Sequence, residues 1–215
     1  MPAPLHCARL AAVSYLQTKK QGGTYNVGNT SNARRRCRRS AAGRDGIRGR
    51  AVRDHVIDVQ GRRNGAYLPK KAAGANKANP NCVGENVSPQ FSWKNVPAGT
   101  TSFALVMTDP DGRGIGVDHW IAYGIPASVT GFAEGETGKP SDKYIGGIGT
   151  AKQSIYLGPC TPPGTTPHHY TFILIATDLD PKALLAGLTK LQLFDKLDGH
   201  VKGSTGMIGL FKNPL

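Results

Sequence analysis

Residues 102–112 read SFALVMTDPDG, an apolar run followed at once by a polar turn. The run 102–108 has the length and apolar continuity of a buried strand. Asp109-Pro110-Asp111-Gly112 ends it, because proline lacks the N–H that a sheet ladder needs and the other residues favour turns. The stretch predicts a β-sheet with polar residues at the ends of its strands.

Other segments repeat this strand-and-turn pattern. The strands it predicts are 91–93 (FSW), 119–125 (HWIAYGI) and 170–177 (YTFILIAT), with a strand or turn at 52–59. With 28 Gly and 15 Pro among 215 residues, the chain suits a protein of strands and turns better than a helical bundle. No apolar run approaches the ~18 residues of a membrane span.

One segment, 189–198, predicts a helix. Thr189 and Gln192 have capping-box spacing, and Gly199 provides a stop. We expect Leu191, Phe194 and Leu197 to share the buried face. The predicted fold is therefore an antiparallel β domain, at residues 51–215, with this helix against it.

Positive charge is concentrated in the first third of the chain. Residues 1–71 carry 16 Lys and Arg against three acidic residues, whereas the remainder carries 11 of each kind. A nucleic-acid partner is therefore expected only through a basic arm, residues 1–50. Three interpretations of the arm stay open: a disordered tail, a start-site or reading-frame artefact, and an arm that contacts RNA or a membrane.

The first residues do not have the order of a secretory signal. The apolar stretch 10–16 is followed, rather than preceded, by Lys19 and Lys20. We expect a cytoplasmic protein, or a periplasmic or secreted one if its native N-terminus differs.

Polar residues that can carry chemistry lie at the strand ends. Asp109 and Asp111 should lean to one side of the sheet rim, and the plain alternative is a turn with hydrogen-bonding aspartates. His119 opens the next strand, where a histidine is more often a core or rim residue than a ligand. A proline-rich loop, 158–164 (GPCTPPG), precedes His168 and Tyr170. Loop amides, imidazoles and a phenol can all donate hydrogen bonds to phosphate oxygens.

Taken together and in order, these motifs resemble the phosphatidylethanolamine-binding protein family, especially its bacterial branch of Raf kinase inhibitor-like proteins. The motifs are Asn86-Val87-Ser88-Pro89, Trp93, 96–100 (VPAGT), Asp109-Pro110-Asp111, His119-Trp120, Ile125-Pro126, Gly158-Pro159-Cys160, Pro162-Pro163-Gly164, His168 with Tyr170, and Gly199-His200-Val201. The resemblance covers residues 65–213. It implies two antiparallel sheets with Greek-key connections, a few helices towards the C-terminus, and a small anion pocket for phosphate or a phospholipid head group.

The resemblance also assigns the pocket residues of this chain. They are Asp109, Asp111, His119, Gly158, Pro159, Cys160, Pro162, His168 and Tyr170. Three departures from the family's usual pattern occur: Gly112-Arg113 replaces Ala-Pro, Thr161 replaces a common proline, and His169 replaces an arginine. The first departure predicts a looser loop.

We therefore expect non-catalytic binding of phosphate or phospholipid head groups, with no cofactor. The alternative is a protein-binding module that acts like a protease or kinase inhibitor, and a homodimer is also open. A metal-dependent hydrolase would use Asp109, Asp111, His119 and His168, but no metal-ligand spacing such as HExxH supports it. A serine hydrolase would need a Gly-x-Ser-x-Gly elbow, which the sequence lacks.

The cysteines leave two outcomes open. Cys82 and Cys160 both lie in loops that adjoin the expected pocket, whereas Cys7 and Cys37 lie in the arm. A Cys82–Cys160 disulfide is possible in an oxidising compartment, and free thiols are expected in the cytoplasm. For a cytoplasmic protein we expect the free thiols.

Overall fold

A computed structural model describes residues 56–59, as backbone only, and residues 63–215. The predictions for the arm, residues 1–50, fall outside this described part. Within it, no helix is long and apolar enough to cross a membrane.

In the described residues, nine strands form two sheets. In chain order they are β1 Val56–Val59, β2 Ala66–Tyr67, β3 Phe91–Lys94, β4 Ser102–Asp109, β5 Val117–Pro126, β6 Gly131–Phe132, β7 Ile145–Gly146, β8 His168–Thr177 and β9 Val201–Phe211. The large sheet has the order β2-β9-β8-β4-β5-β7, and the small sheet has the order β1-β3-β6. All pairings are antiparallel except β2 with β9, so the large sheet is mixed. The predicted mainly-β architecture with two sheets is confirmed.

Strand β4 is apolar without alternation because both of its faces are covered. Phe103, Leu105 and Met107 belong to the core between the two sheets. Ala104 and Val106 belong to a second cluster, on the opposite face, which includes side chains of the helix. This double burial makes β4 the centre of the fold, paired with β5 on one side and β8 on the other.

The predicted helix is present as α1, Lys190–Leu197, and its capping box is confirmed. Gln192 donates its N–H to the Thr189 hydroxyl, and the Gln192 side chain accepts from the Thr189 N–H at 3.0 Å. The predicted face is right for Leu197, which is buried, and wrong for Leu191 and Phe194, which are 72% and 37% exposed, whereas Leu193 is buried instead. Leu193 and Leu197, four residues apart, pack on the sheet, and Leu191 faces away from it.

Strand β9 was not predicted, although it pairs with β8 along its length. Its sequence, VKGSTGMIGLF, has a glycine at every third position and little apolar alternation. At Gly209 the reason is steric: a Cβ would lie 2.9 Å from Cδ2 of Leu68. Glycine here permits close packing, which hides the strand pattern in the sequence.

Candidate functional site

A cavity of about 510 Å³ lies at the ends of three inner strands of the large sheet, where β4 ends and β5 and β8 begin. The antiparallel register produces this meeting, because Asp109 pairs with Val117 and Thr108 pairs with Thr171. Of the nine expected pocket residues, six line the cavity: Asp109, His119, Cys160, Pro162, His168 and Tyr170. The structure thus gathers residues that are up to 61 positions apart in the sequence.

Asp109 is a buried carboxylate that is fully engaged with its neighbours. Its Oδ2 lies 2.8 Å from Nδ1 of His168, and its Oδ1 accepts the backbone N–H of Asp111 at 3.0 Å. Only 3% of Asp109 is exposed. A carboxylate held in this way fixes the orientation of the His168 ring.

Asp111 lies beside the cavity rather than in its wall. It is exposed and lies in the turn after β4, where side chains no longer alternate between the two faces of the sheet. Its Oδ2 accepts the backbone N–H of His169 and lies 3.0 Å from Nδ1 of the same residue. These hydrogen bonds to His169 lower the pKa of the Asp111 carboxyl below its ordinary value.

His119 is 5% exposed, and its ring meets the ring of Tyr170 edge-on at 5.1 Å. Its Nδ1 lies 2.9 Å from the backbone carbonyl of Leu157. Since a carbonyl only accepts, Nδ1 carries the proton, and in the neutral ring Nε2 is an acceptor. Burial lowers the pKa of His119, against the opposing effects of the Leu157 carbonyl and the Asp109 carboxylate. The ring therefore gains its second proton only below the ordinary histidine value of about 6.5.

Tyr170 is a buried phenol in the cavity wall. Burial, then the charge of Asp109 and a hydrogen bond to the Asp109 side chain, raise the pKa of Tyr170 well above its ordinary value. The hydroxyl therefore stays protonated across the physiological range and can act as a donor.

The proline-rich loop has fewer free donors than its sequence suggests. The Gly158 N–H is donated to Oδ1 of Asn86 at 2.8 Å, while Pro159 and Pro162 have no N–H. The loop amides of Cys160 and Thr161 remain. Thr161 also lines the cavity, and its buried Oγ1 has no hydrogen-bond partner within the described residues.

Cys82 and Cys160 form a disulfide, with Cα atoms 4.3 Å apart. The expectation of two free thiols is therefore wrong. Both cysteines line the cavity, so the bond ties the loop before Val83 to the proline-rich loop. The two loops lie 78 residues apart in sequence and together form one wall.

The turn after β4 is held by hydrogen bonds and close packing, and a looser loop than the family's Ala-Pro turn stays a prediction. The carbonyl of Gly112 accepts the N–H groups of Ile115 and Gly116 at 3.3 and 2.8 Å. A Cβ at Gly112 would lie 2.7 Å from Cγ2 of Val117 and 3.1 Å from Oδ2 of Asp109. Only glycine allows this approach.

Sequence reasoning missed several residues of the cavity wall. They are Asn76, Asn79, Asn81, Arg113 and Thr150. The usable signal was turn chemistry, because Oδ1 of Asn76 accepts from Ala78 N–H and Oδ1 of Asn79 accepts from Asn81 N–H. Such Asx turns order an asparagine-rich loop that has no strand or helix pattern.

The ligand atoms of Asp109, Asp111 and His168 all lie within 4.8 Å of one another. Three of the four residues named for a metal-dependent enzyme are therefore adjacent. His119 is not part of this group. Oxygen and imidazole ligands of this kind suit a divalent ion.

Comparison with known proteins supports the resemblance. Residues 60–212 match the family model described as phosphatidylethanolamine-binding protein. UPF0098 proteins of Methanothermobacter thermautotrophicus and Aquifex aeolicus are 37% and 32% identical over 135 and 151 residues. These alignments cover 61% and 70% of this chain and 86% and 84% of the relatives. The crystal structure of Escherichia coli YbcL, described as a member of the mammalian family, aligns with a TM-score of 0.64 at 25% identity, covering 74% of this chain and 98% of YbcL.

Proposed function

This chain belongs to the phosphatidylethanolamine-binding protein family, and we propose that its cavity binds the phosphate group of a small ligand or phospholipid head group without catalysis. The observation that carries the proposal is the pairing of His119 and Tyr170, two buried polar rings in edge-on contact at the wall of the cavity. A cavity of about 510 Å³ has the size of a small-ligand site.

The two rings have different roles towards phosphate. Tyr170 has one hydroxyl hydrogen, which is hydrogen-bonded to the Asp109 side chain, so it donates to phosphate by turning away from that carboxylate. His119 donates its Nδ1–H to the backbone carbonyl of Leu157. Its Nε2 therefore donates to a phosphate oxygen only after the ring gains a second proton. A phosphodiester offers acceptors alone, so its binding is coupled to proton uptake by His119. A nearby anion favours the charged imidazolium, which supplies the energy for that uptake.

Asp109 serves this site as a positioning residue. Its carboxylate already accepts hydrogen bonds from His168, from the Asp111 N–H and from the Tyr170 hydroxyl. We assign it to orienting His168 rather than to holding the ammonium of a head group.

One observation favours a second candidate, a divalent cation at Asp109, Asp111 and His168. Nδ1 of His168 and Oδ2 of Asp109 already face each other at 2.8 Å, which disfavours an ion between them. EDTA separates the two candidates, because phosphate held by protein donors alone is insensitive to chelation, whereas phosphate held by a metal is released.

The test is calorimetric titration of inorganic phosphate and of glycerophosphoethanolamine into the full chain, with and without EDTA. The matched pair of variants is His119→Ala and His200→Ala, since His200 pairs with Asp178 and does not line the cavity. We expect binding by the unchanged protein and by His200→Ala, and weaker binding by His119→Ala. Equal affinity in all three proteins would remove His119 from the site. A protein partner and a homodimer stay predictions that pull-down and light scattering would test.

A further inference from the structure

Arg113 is an exposed side chain that lines the cavity. Its guanidinium is positive at every relevant pH. The acidic side chain in the cavity wall, Asp109, is buried and paired with His168. Arg113 is the lysine or arginine among the lining residues, so it can bring a permanent positive charge to a bound phosphate.

The backbone of Arg113 is held in an unusual conformation. Its φ is +55°, in the left-handed region that residues other than glycine rarely adopt. Such a conformation persists only where the surrounding structure enforces it, and it is common at functional sites. Two features enforce this backbone conformation. The N–H groups of Ile115 and Gly116 donate to the Gly112 carbonyl, and Gly112 packs closely on Val117 and Asp109.

The guanidinium is available to a ligand. Four lysines of the described chain form ion pairs with acidic side chains, whereas Arg113 forms none in that part of the protein. The acid two positions before it, Asp111, is engaged by His169. A planar guanidinium with free N–H donors matches two oxygens of one phosphate group.

We infer that Arg113 is a phosphate-specificity residue of this cavity, gripping two phosphate oxygens from the open side while His119 and Tyr170 face the buried side. This inference rests on the proposed function. It specifies the ligand class as molecules with a phosphate group that keeps two unbridged oxygens, which includes both free phosphate and a phosphodiester head group.

The chain contains a matched control for Arg113. Lys152 is exposed, has φ +61°, and follows Ala151, which lines the cavity, but it is not itself part of the wall. Arg113→Gln and Lys152→Gln therefore remove the same charge from the same type of backbone conformation. Arg113→Lys keeps the charge and removes the planar fork.

The experiment titrates inorganic phosphate and glycerophosphoethanolamine into the full-length protein and these three variants at two salt concentrations. We expect Arg113→Gln to weaken binding of both ligands by roughly tenfold or more, with melting temperature unchanged. The affinity of Arg113→Lys should lie between those of Arg113→Gln and the unchanged protein, and Lys152→Gln should bind both ligands normally. The ligand that binds the unchanged protein more tightly identifies whether free phosphate or a head group is preferred.

Two results overturn the inference while leaving the proposed function intact: equal affinity of Arg113→Gln and the unchanged protein, or an equal loss in Lys152→Gln. Absence of binding by the unchanged protein would instead overturn the proposed function, and the role of Arg113 with it.

Discussion

Nδ1 of His168 lies 2.8 Å from Oδ2 of Asp109, and the Asp109 side chain is 4% exposed. The pair joins the last residue of β4 to the first residue of β8. It fixes a histidine ring at the cavity while it satisfies a buried carboxylate. Its consequences for folding and for binding can be measured separately.

Replacing Asp109 should cost stability. Asp109→Ala leaves His168 and the Asp111 N–H without their acceptor, so we expect the free energy of unfolding to fall by roughly 1–3 kcal/mol. Asp111→Ala removes an exposed partner and should cost less than about 1 kcal/mol. Urea unfolding measures both. An unchanged midpoint in Asp109→Ala would show that the pair contributes nothing to stability.

The low pKa of His119 makes stability depend on pH. The unfolded ring titrates near 6.5 and the folded ring below it, so between these values the unfolded chain binds the extra proton. Stability contributed by His119 is therefore complete above about pH 6.5 and is lost as pH falls towards the lowered pKa. Unfolding free energies from pH 5 to 8 should show a smaller slope in His119→Gln than in His200→Gln. Identical slopes would contradict the burial effect.

Binding of a phosphodiester should be accompanied by proton uptake. At pH 7 His119 is neutral and its Nε2 is an acceptor, so the ring must gain a proton to donate to glycerophosphoethanolamine. Calorimetry in buffers of different ionisation enthalpy should give a binding enthalpy that varies with the buffer. His119→Gln should abolish that variation. A buffer-independent enthalpy in the unchanged protein would mean that His119 does not charge on binding.

The hydroxyl of Tyr170 should contribute about one hydrogen bond to the ligand. Tyr170→Phe keeps the ring and should weaken phosphate binding by ~1 kcal/mol, about fivefold. Tyr123→Phe is the control, because its hydroxyl donates to the Leu185 carbonyl at 2.6 Å, outside the cavity. The control should bind phosphate normally, and a larger loss there than in Tyr170→Phe would refute the assignment.

The disulfide should prevent alkylation of both of its cysteines and stabilise the fold. Alkylation of the native, unreduced protein followed by mass measurement should leave Cys82 and Cys160 unmodified. Cys160→Ser should lower stability by roughly 2–5 kcal/mol, because the bond closes a long loop. We propose on this basis that the protein works in an oxidising compartment, such as the periplasm or outside the cell. Full alkylation without reductant would contradict both statements.

Local sequence patterns predicted β3, β4, β5, β8 and α1, but not β9 or the two-residue strands β2, β6 and β7. The buried run of β4, the aromatic and β-branched residues of β8 and the Thr189 capping box are short-range signals, and each forms the predicted element. The failures came where packing overrides pattern. Glycines hide the strand pattern of β9, where the close approach of Leu68 requires Gly209, and the sheet selects the Leu193 and Leu197 face of α1.

The sequence by itself determined which chemical groups are available near the strand ends: two carboxylates, two histidines, a tyrosine and a proline-rich loop. The reason is that turn residues and strand boundaries depend on neighbours in the chain. Only the tertiary structure decided how these groups are used. It buries Asp109 against His168, commits Nδ1 of His119 to a carbonyl 38 residues away, and joins Cys82 to Cys160. These contacts depend on sheet register and burial, which bring distant residues together and which no local pattern encodes.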